Sequence, residues 1–227
     1  MKQHTFFLFP LLLLAVFAFA ACSEDEPEYD PYHDWQARNA EWFQFVTDSA
    51  VTAIAEAKAQ WGDEWEEHCQ WRRFKTLNQS ADYDTHRATD SICVRIHKRG
   101  TGSYSPLMTD SVRISFRGWM MPAIYRLYNE EGVLVDSVMQ TVFSQTYYGD
   151  FDPKTAMPQL SAITPFVQGF STAIQYMVED DDWYVYIPQQ LAYGASANSA
   201  IPAYSTLLFR IHLAAVYPAN SGVPDWK

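Results

Sequence analysis

Residues 183–213 read "WYVYIPQQLAYGASANSAIPAYSTLLFRIHL". The two ends alternate. Trp183, Val185 and Ile187 share one side of an extended chain. Phe209, Ile211 and Leu213 share one side of another, with Arg210 and His212 opposite. Period-two alternation marks half-buried antiparallel strands, apolar on one side and polar on the other. The middle does not alternate. Between Tyr193 and Ile201 lie Gly, Ala, Ser and Asn, with almost no bulk. A small, polar loop thus separates two apolar dipeptides, Leu191-Ala192 and Ile201-Pro202, and Gly194 permits a sharp departure after the tyrosine.

The same period runs upstream. Ile92, Val94 and Ile96 alternate with Cys93, Arg95 and His97, and Val112, Ile114 and Phe116 with Arg113, Ser115 and Arg117. "RGTGSYSP" is a turn-rich break between them. In "PFVQGFSTAIQYM", Phe166, Phe170, Ile174 and Met177 fall near helical spacing, which predicts one short helix. A helix against one face of an antiparallel sheet is an α+β domain. The acidic run Glu179–Asp182 reads as a solvated turn, with a calcium site as the alternative.

Upstream of Ser91 the period is helical. Asp30-Pro31 suits a helix start, Trp42, Val46, Ala50 and Ile54 recur every four residues with Trp35 and Phe45 nearby, and Gly62 suits a stop. "DEWEEHCQWRRF" begins a second short helix. The aromatic stripe packs on its own domain or serves as a dimer face for a second copy. The chain divides into 1–21, a leader; 22–30, an acidic tether; 31–90, an N-terminal helical region; 91–217, the sheet domain; and 218–227, a tail.

The leader "MKQHTFFLFPLLLLAVFAFAAC" has one Lys, a Pro-broken apolar run, and small residues ending at Cys22. The run has signal-peptide length and is too short and wrongly flanked for a stable span. A Cys after Phe-Ala-Ala resembles a bacterial lipobox, which makes Cys22 the lipidation site; ordinary secretion with cleavage near Ala21 is the alternative. "SEDEPEYD" then reads as a self-repelling tether and resembles the export tag of Bacteroidetes surface lipoproteins. The expected location is the cell envelope, as an outer-membrane lipoprotein on either its surface or its periplasmic face. With 27 acidic against 16 basic residues the net charge is −11. That excludes a phosphate-neutralising nucleic-acid surface and a basic membrane-binding face. An exported chain can oxidise Cys69 and Cys93, so the two are a disulfide pair or two separate thiols. No spacing of His and Cys suggests a metal.

The pieces, in order, resemble a family. "VRISFRG" looks like V-x-V-x-Y-x-G of FKBP-type peptidyl-prolyl cis–trans isomerases, and "FVQGFSTAIQYM" like their V-I-x-G-[WF]-x-x-A-L-x-x-M. "WYVYIPQQLAYG" resembles W-x-x-x-I-P-x-x-L-A-Y-G, and "IPAYSTLLFRIHL" resembles I-P-x-x-S-T-L-x-F-x-V-x-L. The resemblance covers residues 91–217. It implies an antiparallel twisted sheet wrapped around one short helix, here with an N-terminal helical extension.

It also implies a proline pocket. Tyr193, Phe143, Phe116, Phe170 and Phe209 fall on its catalytic positions, and Phe166, Val167 and Ile201 on its substrate-binding ones. Periodicity alone reads the phenylalanines as core; the resemblance moves them to pocket walls. An aromatic-Asp pair of the family falls on Val135-Asp136 or on Phe143-Ser144. The second register leaves the shorter distance to Phe166, and its Y-x-G-D-F continuation also resembles Bacteroidetes FKBP-like lipoproteins. It makes "MMPAIYRLYNEEGVLVDSVMQ" an inserted hairpin over the pocket rim. The implied donors are the Tyr193 hydroxyl and the Val167 backbone N–H. The implied activity is X–Pro isomerisation of unfolded or proline-containing exported polypeptides, without a cofactor or metal. An FKBP-fold chaperone with weak isomerase activity is the alternative. A surface adhesion or nutrient-handling component using exposed aromatics is a third reading.

Overall fold

A computed structural model describes residues 29–77 and 88–226. The leader, Cys22 and most of the tether lie outside the described residues. From Pro31 onward the chain is one unit. Among the described residues no helix is long and apolar enough to cross a membrane.

Helix α1 spans Trp35–Trp61. It starts later than Asp30-Pro31 because Pro31–Asp34 form a turn, with Trp35 N–H donating to the Tyr32 carbonyl at 3.1 Å. Asp34 has φ 51°, which a right-handed helix cannot include. The end falls where expected. Gly62, at φ 54°, donates its N–H to the Lys58 carbonyl. The buried face is Trp35, Asn39, Phe43, Val46, Thr47, Ala50 and Ala57. Phe43 takes the inward place expected of Phe45, which is 69 % exposed.

Helix α2 is a single turn, Trp65–His68, and the chain then extends into strand β1, Trp71–Lys75. "WRRF" is therefore strand, not helix. The sheet begins before Ser91 and continues as β2 (Ser91–Lys98), β3 (Ser111–Met120), β6 (Val142–Gln145), β7 (Gln159–Ala162), β8 (Asp182–Ile187) and β9 (Leu207–Tyr217). Their order is β1-β2-β8-β9-β3-β6, with β7 also on β3, and every pairing is antiparallel. Strands β4 (Ala123–Tyr128) and β5 (Leu134–Met139) form a separate hairpin. Helix α3, Gln168–Tyr176, packs on one face of the sheet. It buries Phe170, Ala173 and Ile174 against Ile92, Val94, Val112, Ile114, Val185, Ile187, Ile211 and Leu213.

The opposite face is covered as well. Phe43, Val46 and Ala50 of α1 pack around Cys93, with Trp42, Trp71 and Tyr186 at the edge. The alternation puts Cys93 on the polar side, but it is not accessible there. It is fully buried, because a helix covers that side. Its Sγ lies 3.6 Å from the Thr47 hydroxyl, while the Cys69 thiol donates to the Ala53 carbonyl at 3.7 Å. The two are free thiols, not a disulfide. The strand register explains this, since the residue paired with Cys93 is Arg73.

The acidic run is only partly solvated, at exposed Asp180. Asp181 and Asp182 are each 4 % exposed. Asp181 accepts the N–H groups of Gly100 and Val178 at 2.7 and 2.8 Å, and Glu179 accepts that of Val216 at 2.7 Å. Asp182 takes two nitrogens of Arg210, the closest at 2.7 Å. The carboxylates serve as acceptors for the backbone at a sheet corner, so they can be buried. Among the described residues no cluster of metal-ligating side chains forms.

Candidate functional site: an aromatic pocket

Five rings meet at one end of the sheet. Phe116 comes from β3, Phe209 from β9, Phe143 from β6, Phe170 from α3 and Phe166 from the turn before it. Phe170 is 1 % exposed and lies under the others. Its ring stands 4.9 Å from Phe209 at 79°, 5.5 Å from Phe116 at 78° and 4.5 Å from Phe166 at 32°. Phe143 meets Phe209 edge-on at 5.3 Å and 87°. Edge-to-face packing of this kind is favourable by about 0.5–1.5 kcal/mol per pair, and rigid rings joined this way do not collapse into the space between them.

That space is a cavity of about 300 Å³, lined by Phe116, Phe143, Phe166, Phe170 and Phe209 together with Val167, Tyr193, Ile201, Ser144, Pro165, Asn198 and Ala200. Every pocket residue expected from the sequence is among them. Of the two registers, the structure brings Phe143 and Ser144 to the cavity. Val135 and Asp136 sit on the exposed hairpin, where Asp136 pairs with Arg126 at 3.3 Å. The hairpin exists as expected but does not line the pocket. Pro122, which lacks an N–H, follows β3, and the chain leaves the sheet there. The base of the hairpin is held elsewhere, by buried Ala123 and by Tyr125, whose hydroxyl lies 3.1 Å from that of Tyr32.

The helix entrance is held by Ser171. Its buried hydroxyl donates to the carbonyls of Ile163 and Phe166 at 3.1 and 3.3 Å. Val167 is the residue just before α3, with φ −59° and ψ 151°. Its N–H donates to no described residue. The Tyr193 hydroxyl is likewise without a partner among the described residues, and Tyr193 is 42 % exposed. Tyr193 is also the sole ionisable residue among those lining the cavity.

The loop between Tyr193 and Ile201 is tied, not slack. Tyr204 N–H donates to the Gly194 carbonyl at 2.7 Å across its neck. Inside it the Asn198 carboxamide oxygen accepts the N–H groups of Ala200 and Ile201, both at 2.9 Å. Asn198, Ala200 and Pro165 were not anticipated as lining residues. Asn followed by Ser-Ala carried the signal for Asn198, since Asn readily bonds backbone N–H groups two and three residues ahead.

Chemically, the slot holds a compact apolar group. Among the described residues no His, Asp, Glu, Lys or Cys lines it. Two free donors are available to a bound peptide. Fold and site together define an α+β domain with an apolar, uncharged pocket at one end of its sheet.

Residues 105–214 match the family model of FKBP-type peptidyl-prolyl cis-trans isomerases. The chain is 26 % identical over 125 residues to the macrophage infectivity potentiator of Trypanosoma cruzi, covering 55 % of this chain and 52 % of that one. It is 29 % identical over 126 residues to the outer membrane protein MIP of Legionella longbeachae, covering 55 % and 44 %. It is 26 % identical over 141 residues to the FKBP-type 22 kDa peptidyl-prolyl cis-trans isomerase of Escherichia coli K12, covering 61 % and 57 %. The chain thus spans about half the length of these relatives.

Proposed function

We propose that the cavity accelerates cis–trans isomerisation of X–Pro bonds in exported polypeptides. One observation carries this reading: five phenylalanine rings and Ile201 enclose an uncharged slot with two unpartnered donors beside it, Tyr193 Oη–H and Val167 N–H. Rotation about an X–Pro bond is slow because it breaks amide resonance, against a barrier of about 20 kcal/mol. The planar amide is charge-separated and the twisted one less so. An apolar wall therefore disfavours the ground state more than the transition state, as acceleration requires. The two donors hold the peptide carbonyls while the ring of proline occupies the slot.

The test is an isomerisation assay on a short X–Pro peptide with a chain of residues 30–227. Acceleration supports the reading. If the peptide is neither isomerised faster nor bound, and no macrolide-type FKBP ligand binds, the pocket assignment fails. A second reading has one observation in its favour. Ser144 occupies the place where the family carries Asp, so a polar wall group is altered. On that reading the domain captures proline-containing or unfolded segments as a chaperone, and suppression of client aggregation without isomerisation distinguishes it.

The reading extends to location. The leader ending at Cys22 supports a lipid-anchored envelope protein, and one relative is named an outer membrane protein. Incorporation of labelled fatty acid, lost in Cys22→Ser, tests the anchor, and protease accessibility on intact cells tests the face. A homodimer through α1 would have to use its outward side, which carries exposed Phe45 and Val51, because the other side is covered by the sheet.

A further inference from the structure

Helix α1 lies outside the isomerase domain of residues 105–214, yet it grips the strand that follows the pocket loop. Asn39, 1 % exposed, accepts the Thr206 N–H on its Oδ1 at 2.7 Å. Its own backbone carbonyl accepts the Thr206 hydroxyl at 3.3 Å, and its Nδ2 donates to the Trp35 carbonyl at 2.7 Å. One turn earlier, the Trp35 indole N–H donates to Ser205 Oγ at 2.8 Å. Ser205 in turn donates to the Pro202 carbonyl at 2.7 Å. Pro202 follows Ile201, a wall of the cavity, and Ile201 is bonded to Asn198, another lining residue. A path of buried or half-buried hydrogen bonds, with one peptide link from Pro202 to Ile201, thus runs from α1 to the mouth of the pocket.

The backbone shows what this series holds. Tyr204, immediately before the gripped pair, has φ 62°. A bulky residue keeps a left-handed φ only where its surroundings over-determine it. On one side of Tyr204 is its bond to Gly194, and on the other are the three bonds between α1 and Ser205–Thr206.

We infer that Asn39 and Trp35 are positioning residues for the pocket loop, so that the N-terminal helix sets the mouth of the proline site. The inference rests on the isomerase reading for its kinetic consequence but not for its structural one. The experiment therefore has two readouts. The first is amide hydrogen exchange, residue by residue, in the full mature chain and its Asn39→Ala and Trp35→Phe variants. The second is the KM and kcat of each on an X–Pro peptide. Trp35→Phe keeps an aromatic ring in place while removing the indole N–H and part of the ring system, a milder change that remains informative if Asn39→Ala does not fold.

The expected result is exchange about 5-fold faster at Ala200, Ile201, Tyr204 and Thr206, with the β2–β8 ladder unchanged, as loss of one hydrogen bond implies. KM rises by a similar factor while kcat moves little. Unchanged exchange in the loop of a folded variant overturns the inference. Acceleration spread evenly over the ladder also overturns it, since that is loss of global stability alone. If the wild-type chain does not isomerise the peptide, the isomerase reading fails, and the exchange data still decide whether α1 positions the loop.

Discussion

Gly118 lies directly between Phe209 and Phe143. In the sheet it pairs with Phe209 on β9 and with Ser144, the neighbour of Phe143, on β6. A Cβ at this position would sit 2.5 Å from Phe209 Cε1 and 2.8 Å from Phe143 Cζ. The absent side chain is what lets the two rings meet over the strand. Gly118→Ala should therefore push both rings toward the cavity. We expect a stability loss of about 1–3 kcal/mol, typical of overpacking, and a larger fall in kcat/KM than stability explains. Denaturant unfolding beside the peptide assay measures both.

Tyr193 contributes one hydroxyl to the rim and has no partner to lose among the described residues. Tyr193→Phe should leave the melting temperature within about a degree and lower kcat/KM by roughly 5-fold, the worth of one hydrogen bond near 1 kcal/mol. A fall of several hundred-fold would mean that Tyr193 does something other than hold a carbonyl.

Phe143 and Val135 offer opposite outcomes. Phe143 walls the cavity, whereas Val135 is exposed on the hairpin. Phe143→Ala should lower affinity for an X–Pro peptide by roughly tenfold or more, since it removes an aromatic wall worth over 1 kcal/mol. Val135→Ala should bind as the wild type does. Titration calorimetry on both variants gives the comparison, and equal losses would reverse the register.

His212 should make the fold acid-sensitive. It is 6 % exposed, Nε2 has no hydrogen-bond partner among the described residues, and Asp180 Oδ1 is 3.9 Å away. Burial lowers its pKa, against the opposing pull of Asp182 and Asp180. A His held neutral in the folded state is protonated more readily when unfolded. Its stabilising effect is thus present above the usual His range and is lost as pH falls through it. Stability should drop between about pH 7 and pH 5, and His212→Gln should flatten that part of the curve. Urea midpoints across the range will show it, and an unchanged slope in the variant would discard this assignment.

Cys69 and Cys93 should resist thiol reagents in the folded chain. Both are buried, and burial pushes the Cys93 thiol up, with the bond to Thr47 only partly opposing. Residues 30–227 should show no fast-reacting thiol when native and both thiols once unfolded, without prior reduction. Failure to label them in denaturant alone would indicate a disulfide.

Much of this architecture was legible because it is written locally. Period-two alternation in residues 92–96, 112–116, 183–187 and 209–213 places one side of each strand in the core, and the structure buries those residues. Gly62 ends α1 because a left-handed φ there is local chemistry. What was misread depended on distant partners. Cys93 reads as polar-side until α1 covers it. Glu179–Asp182 reads as solvated until Gly100, Val178, Val216 and Arg210 supply donors from other segments. Phe45 and Phe43 are both compatible with the helical stripe, and only the angle at which α1 crosses the sheet chooses between them.

By itself, then, the sequence determined four strands of the main sheet, the short helix, the glycines at the turns and the order of motifs that carries the family resemblance. Each follows from side-chain periodicity or backbone preference within a few residues. The tertiary structure alone decided which aromatic rings fill the core and which wall a cavity, because an empty space belongs to no single segment. Phe116, Phe143, Phe166, Phe170 and Phe209 arrive from separate elements, and the slot exists only where their rigid rings meet without closing. It also decided that a helix outside that domain reaches the pocket loop, through bonds between residues as far apart in the chain as Asn39 and Thr206.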